Sequence, residues 1–299
     1  MSEVCRVRND MDAKLKLELT RAQRGEITEH HVYKELARRE ADPRNREILE
    51  RIADDELRHY EFWAQKTAER PLPERFVVWK YVWLARLLGL TFAIKLMEQG
   101  EERAQAKYDD LLGAIPEAAA VLRDEHEHES ELTNMIDEER LRYVGSVVLG
   151  LNDALVELTG ALAGFTLALQ NSRLIAVIGL ITGVAAALSM AASEYLSTKA
   201  DEGDARSPLK AAIYTGMAYV MTVTVLISPY LLLSIPLLSL AFTVAGALAV
   251  ILAFSYYVSV ARDLPFWRRF FEMACLSLGV ATISFGIGYL LRRFVGVDV

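Results

Sequence analysis

Two kinds of hydrophobic pattern divide this chain. From about residue 143 onward, apolar runs cover roughly 143–169, 174–197, 209–233, 235–259 and 270–291. Each is near the ~20 residues a helix needs to cross the hydrocarbon of a bilayer. The third and fourth meet at the corner Ser234-Ile235-Pro236, and joined they exceed one crossing. Five spans are expected, which puts the two ends of this region on opposite sides. Before residue 140 the pattern is amphipathic and strongly charged. Breaks at Ala41-Asp42-Pro43, Arg70-Pro71-Leu72-Pro73 and Gly113-Ala114-Ile115-Pro116 predict helices over 11–40, 44–69, 74–112 and 117–140. The expected fold class is all-α, a four-helix bundle over 1–140 followed by a five-span membrane domain over 141–299.

Charge sharpens this division. Residues 1–140 hold 23 Lys and Arg against 31 Asp and Glu, a net of about −8, while 141–299 hold 10 against 9. All five histidines (His30, His31, His59, His126 and His128) lie in the acidic part. An acidic module suits cations, and no nucleic-acid partner is expected. The two cysteines, Cys5 and Cys275, are too far apart in sequence and context to read as a disulfide or a Cys-based zinc site. The first twenty residues alternate in charge without an apolar core, so no secretory signal peptide is expected. Near the span ends, Arg140, Arg142, Lys199, Arg206, Lys210, Arg262, Arg268 and Arg269 fall on one side. Arg173, Arg292 and Arg293 fall on the other. The richer side is expected to be cytoplasmic, and the N-terminal domain with it.

Three acids lie within the spans: Asp153, Glu157 and Glu194. A charge at mid-membrane costs about 2.5–3.5 kcal/mol on insertion scales, so such residues commonly mark an ion path. Asp153 and Glu157 are one helical turn apart, as are Met190 and Glu194. Carboxylate with thioether is a ligand set for a borderline transition metal. The bland alternative puts Glu194 at the membrane edge, solvated, with Lys199 and Asp201 close behind. Gly160-x-x-x-Gly164 and Gly179-x-x-x-Gly183 are spaced for close helix packing. One span would be enough for anchoring, so five argue for a pathway.

The acidic half repeats itself. Asp55-Glu-Leu-Arg-His59 and Asp124-Glu-His-Glu-His128 share one spacing, and in a helix Glu56 and His59, or Glu125 and His128, project from one face. Gly25-Glu26 precedes Tyr33 by the same interval that Gly100-Glu101 precedes Tyr108. Two Glu-x-x-His helices plus one Glu from each of two others form the ligand set of a di-iron carboxylate bundle. Glu26, Glu56, His59, Glu101, Glu125 and His128 are the expected ligands. Glu98, one turn before Glu101, is either a further ligand or an exposed charge. Tyr33 and Tyr108 read as core tyrosines or as donors that orient carboxylates. His30 and His31 point away from Glu26, and solvated or capping roles are expected of them.

The strings GEITEHHVY, DELRHYE, GEERAQAKY and DEHEHES resemble rubrerythrin and other ferritin-like di-iron proteins across most of residues 15–138. That resemblance implies that the six named ligands hold two irons, which in such centres react as Fe(II) with oxygen or peroxide. The Cys-x-x-Cys module of full rubrerythrins is absent. The strings GLNDALVELTGALAGF and ALSMAASEYLS are similar to the vacuolar iron transporter family over about 142–293. This implies Fe(II), or Mn(II), moving in exchange for protons through a homodimer, with Asp153, Met190 and Glu194 at metal-path positions. Plant members carry a long acidic insert between spans two and three; here that link is only Thr198–Pro208. The combination resembles membrane-bound ferritin proteins, prokaryotic iron exporters of the plasma membrane. The expected function is iron export with a cytoplasmic di-iron domain that captures, senses or oxidises iron, and no catalytic residue is assigned. The alternative is a membrane-tethered ferroxidase or peroxide scavenger whose spans are scaffold.

Overall fold

The computed structural model describes residues 3–105, 115–134, 142–201, 203 and 206–295. Among these there is no strand: every regular element is helical. The chain divides into two compact units, Met1–Glu138 and Glu139–Val299.

The first unit contains α1 (Glu3–Ala37), α2 (Pro43–Thr67), α3 (Arg75–Leu88), α4 (Leu90–Gln105) and, after a 3-10 turn at Pro116–Ala118, α5 (Ala119–Asn134). Asp42 starts α2 by accepting from the backbone N–H groups of Arg44 and Asn45, with Pro43 at the first helical position. This is the side-chain cap and pre-set φ that a helix start favours. Ala68 ends α2 in the left-handed region, at φ 55°. The single helix expected over 74–112 is interrupted at Gly89, whose φ of 102° suits a residue without Cβ. The local apolar pattern runs straight through this break, so only the glycine hinted at it. The first helix also begins earlier than expected, at Glu3. Val32, Leu36, Ile52, Tyr81, Ile94 and Leu132 belong to one hydrophobic cluster, so all five helices contribute to a shared core.

The second unit holds α6 (Val144–Leu169), α7 (Ser172–Ala200), α8 (Pro208–Leu232), α9 (Pro236–Ala261) and α10 (Phe266–Val295). All five are long and apolar enough to cross a membrane. Asn171 caps α7 through the backbone N–H of Leu174, and prolines open α8 and α9. Helix α6 lies at the centre and packs on each of the other four. Its close approaches depend on missing side chains. A Cβ on Gly150 would sit 2.3 Å from the Thr215 carbonyl oxygen, and one on Gly288 would sit 2.3 Å from that of Gly164. Gly160 and Gly164 face α10, while Gly183 faces Val223 of α8. Both small-residue motifs therefore serve packing within this chain.

Candidate metal centre and membrane path

Glu26 on α1, Glu56 and His59 on α2, and Glu125 on α5 bring one ligand atom each to within 4.8 Å of one another. His59 Nδ1 lies 3.2 Å from Glu125 Oε1, 3.5 Å from Glu56 Oε2 and 3.6 Å from Glu26 Oε2. His128 Nδ1 lies 3.4 Å from Glu56 Oε1 and 3.9 Å from Glu125 Oε2. Glu56 and Glu125 thus each turn one oxygen to one histidine and the other oxygen to the second. Two carboxylates lie between two imidazoles. Glu26 stands on the His59 side. Glu101 lies on α4, but its side chain falls outside the described residues, as does all of Tyr108.

These groups are withdrawn from water. Glu56 is 1% exposed, His59 3%, Glu26 4% and His128 6%. Glu26 Oε2, Glu56 Oε2, His59 Nδ1 and His128 Nδ1 have no hydrogen-bond partner. Leaving one such buried atom unsatisfied costs about 1–3 kcal/mol, and here four converge on one place. The donor set, carboxylate oxygens with neutral imidazole nitrogens, fits Fe(II) and Mn(II) alike. The orphaned atoms and their chemistry therefore fit a metal.

The far ring nitrogens are held separately. His59 Nε2 meets Asp124 Oδ2 at 3.2 Å, and His128 Nε2 meets Asp55 Oδ2 at 3.0 Å. Each aspartate comes from the helix opposite its histidine. When Nε2 carries the proton, Nδ1 turns a lone pair toward the carboxylates, the usual outer support of a ligating histidine. Trp63 Nε1 donates to Glu26 Oε1 at 3.0 Å and leaves Oε2 to the cluster. Sequence reasoning missed Asp55, Asp124 and Trp63 as supports. The signal for the aspartates was present, since each directly precedes the glutamate of its Glu-x-x-His.

Burial and neighbouring charge favour the protonated forms of Glu26, His59 and His128. Burial, helped by the nearby Glu56, pushes the Glu26 carboxyl up to about 8 against the opposing pull of His59. Burial alone would lower His128, but Glu56 and Asp55 outweigh it and raise it to about 9. Burial likewise opposes the charge on His59, and Glu125, Glu26 and Glu56 raise its pKa well above the usual histidine range.

The remaining sequence candidates take other places. Glu98 is half-buried on α4. Tyr33 is buried in the helical core. His30 departs from the solvated role expected of it: it is buried, and its Nδ1 meets the Ala53 carbonyl oxygen at 2.6 Å. Tertiary packing of α1 on α2 took it out of water. His126 is exposed.

In the second unit, Glu194 is 7% exposed, so it is not solvated at the membrane edge. It accepts from Ser146 Oγ at 2.7 Å and pairs with Arg206 Nη1 at 3.3 Å. Arg206 also donates to Ser146 Oγ at 3.0 Å. Glu157 Oε2 accepts from Tyr219 OH at 3.2 Å. Asp153 is half-buried beside it on α6, and Glu157 itself is exposed on that helix. Met190 is half-buried on α7 and packs against the span core. Among the described residues, no second group of three metal-ligating His, Cys, Asp or Glu side chains forms here. Ser146, Arg206 and Tyr219 were not legible as partners, because span-to-span register is set by packing.

Five apolar helices make this an integral membrane protein. Residues 144–203, which cover the first two spans and the start of their link to the third, match the VIT family model. Asp153, Glu157, Met190 and Glu194 all lie within that match. No curated protein matches the chain.

Proposed function

We propose that the chain transports Fe(II), with Mn(II) as second candidate, out of the cytoplasm in exchange for protons, and that its N-terminal unit is a ferritin-like di-iron bundle that captures, senses or oxidises iron. The observation that carries the transport reading is the VIT match on the two spans that hold Asp153 and Glu194. Carboxylates in low dielectric can hold a cation or a proton in turn, which suits exchange. The buried cluster supports the bundle reading: Glu26, Glu56, His59, Glu125 and His128, with Glu101, would hold two irons. Loaded with iron, such a centre would supply oxidation of Fe(II) by oxygen or peroxide as the electron acceptor. The chain's own part is to fix the ligand atoms, hold the histidine tautomers through Asp55 and Asp124, and exclude water. A homodimer is part of the proposal, since an exposed Glu157 within an apolar span calls for cover by a second copy.

The test is anaerobic Fe(II) uptake into proteoliposomes, with and without a pH gradient, for wild type and Asp153→Ala. Flux that responds to the gradient and is lost in Asp153→Ala is expected. Its absence in folded, iron-loaded protein would sink the transport reading. The buried cluster would then favour the tethered ferroxidase, tested by oxygen consumption.

A further inference from the structure

Helix α3 carries an aromatic face that neither the metal cluster nor the core uses. Phe76, Trp79 and Trp83 are 71%, 56% and 42% exposed, and Leu87 continues the same stripe. Their spacing of three and four sets them on one side of the helix. The Phe76 and Trp79 rings stack at 5.9 Å, and Trp79 meets Trp83 at 6.0 Å. The opposite side, with Val77, Tyr81 and Leu84, faces the core. The helix contains Arg75, Lys80 and Arg86 and no acid, within a region whose net charge is about −8. At 3.6 residues per turn, Arg75 and Arg86 flank one edge of the aromatic stripe and Lys80 the other.

We propose that this face of α3 lies in the surface of an anionic lipid bilayer. Trp79, Trp83 and Phe76 would sit at the boundary of headgroups and acyl chains, with Arg75, Lys80 and Arg86 on lipid phosphates. An aromatic stripe edged by cations is the composition of an interfacial helix. Tryptophan concentrates at that depth because its ring is apolar and its N–H is polar. Charge complementarity selects the anionic surface. The chain brings its own five spans, so a bilayer is present at high effective concentration. Self-pairing of α3 on a second copy fits less well, because it sets the same three cations against one another.

The experiment uses the full chain with Cys5→Ser and Cys275→Ser, in vesicles with or without phosphatidylglycerol. A nitroxide is attached at Trp79→Cys or, as the aqueous reference, at Glu50→Cys on the exposed side of α2. The label at 79 should show a several-fold higher ratio of oxygen to nickel-chelate accessibility than the label at 50. The difference should shrink without phosphatidylglycerol and in an Arg75→Gln, Lys80→Gln, Arg86→Gln background. Equal, water-like accessibility at both sites would overturn the proposal. So would a label at 79 shielded from both agents with dipolar broadening, which would mark a second copy on this face.

Discussion

His59 and His128 are each gripped from behind by an aspartate of the facing helix, 3.2 and 3.0 Å away. Asp55→Asn or Asp124→Asn keeps the shape but removes the carboxylate that fixes the tautomer. Metal affinity of the first unit should fall about 10–100-fold for each change, with helical content retained. Competitive titration with Mn(II) or anaerobic Fe(II) would measure it, and unchanged affinity would remove the aspartates from the site. Protons provide a second check. Glu26, raised from 4.5 to about 8, contributes stability that is complete below pH 4.5 and lost as pH rises through about 8. His128, raised from 6.5 to about 9, contributes stability lost as pH rises through about 9. Metal must displace these protons. Stabilisation by metal, measured as the Tm difference between loaded and stripped protein, should therefore grow with pH between about 5 and 9. A flat difference would show that the buried groups are not the ligands. The two Glu-x-x-His pairs were legible because i and i+3 share a helix face whatever the tertiary fold. Trp63 on Glu26 was not, because that bond joins α2 to α1.

At the scale of elements, the sequence read helices well where the period was long and the stops were prolines, as at Pro43, Pro208 and Pro236. It failed at Gly89, where a single backbone angle splits one amphipathic run into α3 and α4. Close packing was legible only as a motif: the Gly160 and Gly164 spacing was visible, but not that its partner is α10. Gly288→Ala tests that seam. The new Cβ would lie 2.3 Å from the Gly164 carbonyl oxygen, a backbone atom that cannot rotate away. The helices must part, and overpacking of this kind costs about 1–3 kcal/mol. A lowered thermal midpoint in detergent is expected for Gly288→Ala. It is not expected for Gly279→Ala, on the same helix with nothing within 4 Å. Equal midpoints would mean that α6 and α10 do not pack so closely.

At the scale of the whole molecule, the chain places its two sets of carboxylates in different solvents. Among the described residues, the buried Glu and His atoms of the first unit gather across α1, α2 and α5. The acids of the second unit are dispersed over α6 and α7, with partners such as Tyr219 and Arg206. The change from charged to apolar pattern near residue 140 made this separation readable, but the pairing of each acid awaited the packing of the spans. Lesions in the two sets should therefore separate. Glu56→Ala with Glu125→Ala removes the two carboxylates that face both histidines, so metal content of the first unit should fall to background while the spans remain folded. Asp153→Ala should abolish flux and leave that metal content unchanged. Metal analysis and proteoliposome uptake on the same preparations would show both. If Asp153→Ala also emptied the first unit, or the double variant kept its metal, the proposed separation of the bundle's metal site from the transport path would be wrong.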